Sequence, residues 1–342
     1  MKQFVRLRLV PAVLLLTACS ILTGCSFSYV MNSANRLERS DAKDFTVEKS
    51  EVEPITKVDI HTRIADVEFV QADSFFVEIH YLYWEEKPEY EIKDGALFFD
   101  DRDAFPDSYS IDFNLHNTII VYLPKDSAME YVSIENSSGD VDITGFAAED
   151  LDVTVSYGNL TMKEASASAA DITLSSGTSK MTDFNVGKLD FTNSYGNAKF
   201  TNINIANVNL PKGASCDECS INMSSGSVDI DGMYAPTIDI RNSYGNVTCD
   251  KFQADTAKFN LSSGDLLINN GDINSAEVVD SYGDVTMRLP GPAADYSLDL
   301  DTSYGKIKVD GDSYEEHVKL DGDGSKSISA DLSSGDVIVD FK

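Results

Sequence analysis

A three-residue signature, Ser-Ser-Gly or Ser-Tyr-Gly, returns ten times after residue 134 and constrains the fold of this chain more than any other feature. Its glycines stand at Gly139, Gly158, Gly177, Gly196, Gly226, Gly245, Gly264, Gly283, Gly305 and Gly335, and six of the nine intervals between them are 19 residues, the others being 30, 22 and 30. A fixed period of this length marks a solenoid, in which each unit buries its apolar face only by stacking on its neighbours.

The residues around each glycine say what kind of solenoid. Five positions before it every copy is apolar: Ile134, Val153, Ile172, Phe191, Ile221, Ile240, Phe259, Val278, Leu300 and Ala330. The next position is mostly Thr, Asn, Asp or Glu, and four positions after the glycine the residue is apolar again, from Ile143 to Val339. That period of two belongs to half-buried strands, and helical stripes are missing. The fold class expected is all-β, a parallel β-solenoid (β-helix) with rungs of about 19 residues, and ten rungs at ~4.8 Å would make a stack of roughly 45 Å. Leu123-Pro124, Leu210-Pro211 and Leu289-Pro290 each put proline 15 residues ahead of a motif glycine, which reads as duplication in blocks of several rungs.

Glycine at the corner is expected to supply a positive φ without a Cβ clash. The serine two positions before it, and Asn or Asp just after it (Asp140, Asn159, Asn197, Asn246, Asp265, Asp284, Asp336), would form hydrogen-bonded rows. A serine on every rung reads as structure, since a nucleophile needs one activated copy beside a base. Tyrosine replaces serine before the glycine at Tyr157, Tyr195, Tyr244, Tyr282 and Tyr304. Three positions before the glycine, Leu174, Met223, Leu261 and Leu332 accompany serine and Asn193, Asn242, Asp280 and Thr302 accompany tyrosine, whereas the first two copies, Asn136 with Ser138 and Val155 with Tyr157, do not follow the exchange. This exchange of bulk favours one shared packing layer, with the tyrosines inside. The competing reading is an outward tyrosine stripe that stacks on sugar rings or peptide.

The flanks supply an address and a cap. Lys2, Arg6 and Arg8 precede an apolar run, and Leu22-Thr23-Gly24-Cys25 resembles a bacterial lipobox, with Cys19 as the alternative lipidated cysteine. Residues 1–24 are therefore read as a lipoprotein signal peptide, 25–54 as a tether, 55–122 as an aromatic capping β region, and 123–342 as the repeat solenoid. This places the chain outside the cytoplasm, anchored by lipid to the bacterial cell membrane. The 57 acidic against 27 basic residues give a net charge of −30, which argues against a nucleic-acid partner.

Other chemistry is sparse. Cys216 and Cys219 have the spacing of a redox or zinc half-site without a second pair, so these cysteines and Cys249 are expected to be buried thiols or to include a local disulfide. His61 and His80, 19 residues apart, could share a metal with Asp59 or Glu78 if they lay on adjacent rungs, although solvated histidines are the commoner outcome. Asp310-Gly-Asp312 and Asp321-Gly-Asp323-Gly-Ser325 are loosely like calcium loops but fit solvated turns better. No metal, cofactor or catalytic residue is assigned.

Thr118-Ile-Ile-Val-Tyr-Leu-Pro124 and Val132-Ser-Ile-Glu-Asn-Ser-Ser-Gly-Asp-Val-Asp-Ile143 resemble the bacterial putative-adhesin family, a domain of unknown function built of strand-Gly-Asp-strand repeats. The resemblance covers about residues 56–342, implies a surface β-solenoid and implies no catalytic residues. The expected function is a lipid-anchored, non-enzymatic module that binds a cell-wall, glycan or protein ligand or acts as a spacer. The alternative is a polysaccharide lyase or hydrolase, which would need carboxylates converging on one rung.

Overall fold

The computed structural model describes residues 35–342 except 112–113, 126 and 206–217. The signal segment, Cys19, Cys25, Cys216 and Leu210-Pro211 lie outside the described residues.

Each rung is a strand entering the glycine corner and a strand leaving it. Ser166–Ser176, for example, runs into Gly177, and Ser179–Tyr195 leaves it and continues as the first strand of the next rung. Neighbouring rungs pair in parallel with like positions opposed, so each apolar row of the sequence becomes a continuous stack. In space the row five positions before the corner reads Phe99, Ile60, Ile134, Val153, Ile172, Phe191, Ile221, Ile240, Phe259, Val278, Ala330, Leu300. All twelve are buried. The row four positions after the corner, from Val121 and Phe69 to Val339 and Val309, fills the other side of the core.

Among the described residues twelve rungs, rather than ten, make a stack of roughly 50 Å at ~4.8 Å per step. Their order in space departs from chain order at both ends. The last rung in sequence, with Lys326–Leu332 and Val337–Phe341, lies between the Gly283 rung and the Gly305 rung. At the other end, Lys57–Thr62 and Ala65–Ala72 form a rung enclosed between the Gly139 rung and an outer rung that comes later in the chain, made by Ala96–Asp100 and Asn117–Pro124. The first and last rungs of the chain are thus each covered by another rung.

Antiparallel strands cover the outer rungs in turn. Phe76–Tyr83 pairs with Asn117–Pro124, Lys43–Glu51 with Phe76–Tyr83, and Glu89–Lys93 with Ala96–Asp100. At the far end Asp312–Tyr314 and His317–Leu320 do the same. A change from parallel to antiparallel pairing interrupts the repeat that an open edge would offer to another chain. Lys43–Glu51 falls within the stretch read from sequence as tether, so the sheet starts earlier than residue 55. The aromatic residues of the 55–122 region pack on one another, with Tyr81, Phe99, Phe105 and Trp84 in contact. Beneath it the buried Asp101 carboxylate accepts hydrogen bonds from the Thr62 hydroxyl at 2.7 Å, the Arg63 amide at 2.8 Å and the Tyr81 phenol.

Candidate functional site: a corner edge lined with tyrosine

The glycine corner is a continuous backbone stack. The amide of each corner glycine donates to the carbonyl of the residue preceding the glycine on the next rung, in nine successive links of 2.8–3.2 Å from Gly139 to Tyr304. At Gly245 φ is +123°, and a Cβ there would collide with the Gly226 carbonyl oxygen below it. Glycine is required twice over, by conformation and by the closeness of the next rung. Asn and Asp after the glycine add a second row, because their side-chain oxygens accept the following rung's amide, as Asp140 does from Asn159 at 2.8 Å and Asp284 from Asp336 at 2.8 Å. The expected row of serine hydroxyls, bonded to each other or to corner amides, is not seen among the described residues; those serines sit on the outer side, exposed or half-buried.

The residue three positions before the glycine points inward on every rung. Leu174, Met223, Leu261 and Leu332 are buried, and so are Asn136, Asn193, Asn242, Asp280 and Thr302. The Asn242 amide nitrogen donates to the carbonyls of Gly226 at 3.0 Å and Gly245 at 2.9 Å, and the Thr302 hydroxyl donates to Gly335 at 2.9 Å. Asp280 keeps one carboxylate oxygen buried without a partner, and burial raises its pKa.

The tyrosines do not share that layer. Tyr157, Tyr195, Tyr244, Tyr282 and Tyr304 are 69%, 66%, 64%, 67% and 80% exposed, which overturns the inward packing inferred from the bulk exchange. Positions three and one before the glycine would share a face of a flat strand, but here the chain is already turning. From Leu174 onward both rows carry the same two-rung period, while Asn136 beside Ser138 and Val155 beside Tyr157 break the pairing, so the exchange marks a two-rung unit over eight of the ten rungs rather than competition for space.

Rung order gives this period its regularity. Along the stack the residue before the glycine reads Ser138, Tyr157, Ser176, Tyr195, Ser225, Tyr244, Ser263, Tyr282, Ser334, Tyr304. Serine and tyrosine alternate without a fault over ten rungs. In the sequence Tyr282 and Tyr304 are consecutive copies, and only insertion of the Gly335 rung separates them.

A second corner escaped the sequence reading. Six residues after the first, Gly145, Glu164, Asp183, Asn202, Gly232, Lys251 and Asn270 all take positive φ, between 50° and 78°. Five of these seven are Gly, Asn or Asp, the residues that tolerate this region, and that enrichment was the available signal.

The remaining candidates resolve individually. Cys219 and Cys249 are free thiols buried beside Leu189 and Ile238, and Ile230 and Ile268, and burial pushes both pKa values well up; Cys216, the other half of the CxxC spacing, lies outside the described residues. His61 and His80 are not on adjacent rungs, because Phe76–Tyr83 runs antiparallel on the other ladder. His61 bonds Asp59 and Glu135, each at 3.0 Å, and His80 bonds Glu78 at 3.0 Å. Asp310 and Gly311, with φ of 49° and 85°, form the two-residue turn between Ile307–Val309 and Asp312–Tyr314, and Asp310 accepts the Phe341 amide at 2.9 Å. Among the described residues Asp299, Asp301 and His317 bring three ligand-type atoms within 4.8 Å, but Lys319 lies 3.1 Å from Asp299 and the group is largely exposed.

A family model described as Toastrack DUF4097 matches residues 55–213 and again 180–340. The chain belongs to the Toastrack DUF4097 family. The two overlapping matches fit the repetition within the stack. No curated protein matches the chain. Among solved structures, a putative adhesin from Parabacteroides distasonis is 12% identical with a TM-score of 0.43, covering 73% of this chain and 99% of that one. A putative adhesin from Parabacteroides merdae is 11% identical with a TM-score of 0.39, covering 90% and 100%. A putative lipid binding protein from Parabacteroides distasonis is 14% identical with a TM-score of 0.36, covering 89% and 99%.

Proposed function

We propose that this Toastrack protein is a non-enzymatic binding module of the bacterial envelope, lipid-anchored through Cys25, whose tyrosine edge is its binding face. The observation that carries the reading is the unbroken serine–tyrosine alternation, with five rings held outward on a backbone that glycine stacking keeps rigid. Large exposed aromatics arranged in one row mark interaction surfaces, whereas isolated ones do not. Rigid presentation also lowers the ordering cost of binding. The acidic side chains lie along whole strands instead of converging on one rung, which favours binding over bond cleavage. Asp152, Asp171 and Asp190, for instance, stand in register on three successive rungs.

The test uses the full chain with Tyr195→Ala, Tyr244→Ala and Tyr282→Ala combined. Wild type should bind isolated cell envelopes or an arrayed glycan or peptide ligand, and the triple variant should lose that binding with its circular dichroism unchanged. Cys25→Ala should move the protein from the membrane to the soluble fraction. Binding indifferent to the three tyrosines would remove the edge from the account, and membrane retention without Cys25 would remove the anchor.

A further inference from the structure

Building on that reading of the edge, we propose that its partner is a cationic, proline-rich segment in the polyproline II conformation, bound along the stack with one turn of ligand per two rungs.

The spacing selects this conformation. Tyrosines on every second rung recur at about 9.4–9.8 Å, twice the interstrand distance. A polyproline II helix repeats every three residues at 3.1 Å each, about 9.3 Å. Across the four intervals from Tyr157 to Tyr304 the two periods drift apart by only about 1 Å. An extended strand, with a same-face repeat of about 6.6 Å, is out of step at the second tyrosine. Two α-helical turns, about 10.8 Å, accumulate a mismatch of nearly 5 Å over the same span.

The edge also offers what such a ligand needs. Between consecutive tyrosines stands a serine, so a ring placed over it lies about 4.8 Å from each phenol, within stacking distance. Proline-rich segments dock in this way between aromatic side chains, and they arrive already extended, with little entropy to lose. Their free backbone carbonyls can accept from the serine and tyrosine hydroxyls.

Charge sets the sign of the partner. Exposed Asp140, Asp265 and Asp284 flank the corner, and Asp152, Asp171 and Asp190 stack on the strand leading to it. Partial burial first, and then a neighbouring aspartate, raise the pKa of Asp152 and of Asp171, the latter against an opposing pull from Lys188. Lys188 offsets Asp190, and Arg241 pairs with Asp239, but the chain as a whole carries −30. Lys258, paired with Glu277, and the exposed Lys306 interrupt the acidic rows, but acids outnumber bases along the edge, so an anionic ligand would be repelled over most of its length and lysines projecting from the proline-rich turn would meet these acids.

The full chain is titrated with three synthetic peptides: five repeats of Pro-Pro-Lys, five of Pro-Pro-Glu, and five of Gly-Ser-Lys, which keeps the charge without the conformation. A panel of neutral β-linked oligosaccharides is run beside them. Pro-Pro-Lys should bind at least about tenfold more tightly than either control peptide, and the triple tyrosine variant should lose at least about tenfold in affinity while melting at the wild-type temperature. Equal binding of Gly-Ser-Lys would reduce the interaction to charge and overturn the proposal. Oligosaccharide binding that depends on the tyrosines, with no peptide binding, would overturn the partner class while leaving the edge as the binding face. Peptide binding untouched by the tyrosine changes would defeat the proposal and the reading of the edge together.

Discussion

At the corner, one residue's direction decides what the molecule can do. Tyr244 projects outward and Asn242, two positions earlier, projects inward, although a period of two would give them one face. Tyr244→Ala should therefore change stability by no more than about 0.5 kcal/mol, as at ordinary surface positions, and chemical denaturation will show it. A loss near 3 kcal/mol would restore the packed-layer reading. Asp280 makes the complementary point. It occupies the row in which Asn242 donates from its amide to two corner carbonyls, yet its own unpartnered oxygen can donate only when protonated. Asp280→Asn should raise stability by about 1 to 3 kcal/mol at neutral pH. Because burial raises the folded-state pKa of Asp280, its contribution is fully favourable below the unfolded value of about 3.9 and is lost as pH rises through the folded value. The gain from the asparagine should accordingly shrink in denaturation curves taken near pH 4, and a gain that is constant with pH would contradict this assignment.

At the scale of elements, the two corners differ in how legible they were. The first was plain in the sequence because backbone lies on backbone there and only glycine fits. The second imposes positive φ without such a close approach, so Glu164 and Lys251 are accepted at a cost and the signal blurs. Glu164→Gly should raise stability by roughly 0.5 to 1 kcal/mol, since relief of the left-handed strain outweighs the added chain entropy and the exposed Lys163–Glu164 pair contributes little. Unchanged or lower stability would show that the corner carries no strain. The caps were legible in composition but not in extent. Polar Lys43–Glu51 has only Phe45 fully buried and looked like linker, yet it closes the edge of Phe76–Tyr83. A chain starting at residue 55 should associate in a concentration-dependent way by size-exclusion chromatography, whereas one starting at Asn35 should not. If both elute alike, Lys43–Glu51 does not protect an edge.

The whole molecule holds what the sequence could not express. Periodicity revealed the rungs, their strands and their core rows, because every rung obeys one pattern. For the same reason it could not reveal their order, since any rung satisfies the faces of any other. The Gly335 rung between those of Gly283 and Gly305 is what makes the tyrosines alternate to the end of the stack; in chain order Tyr282 and Tyr304 would be neighbours and the two-rung period would fail. Asp331 is the register partner of both Val279 and Asp301, which places Val279 and Asp301 two rungs apart. Adjacent parallel strands bring Cα atoms within the 4.4–6.8 Å that a disulfide spans, and two rungs, at about 9.6 Å, do not. Pairwise cysteine cross-linking of the folded protein reads this order directly. Val279→Cys with Asp331→Cys should oxidise to a disulfide and Val279→Cys with Asp301→Cys should stay reduced; a cross-link in the second pair and none in the first would mean that the rungs stack in chain order and that the alternating edge does not exist.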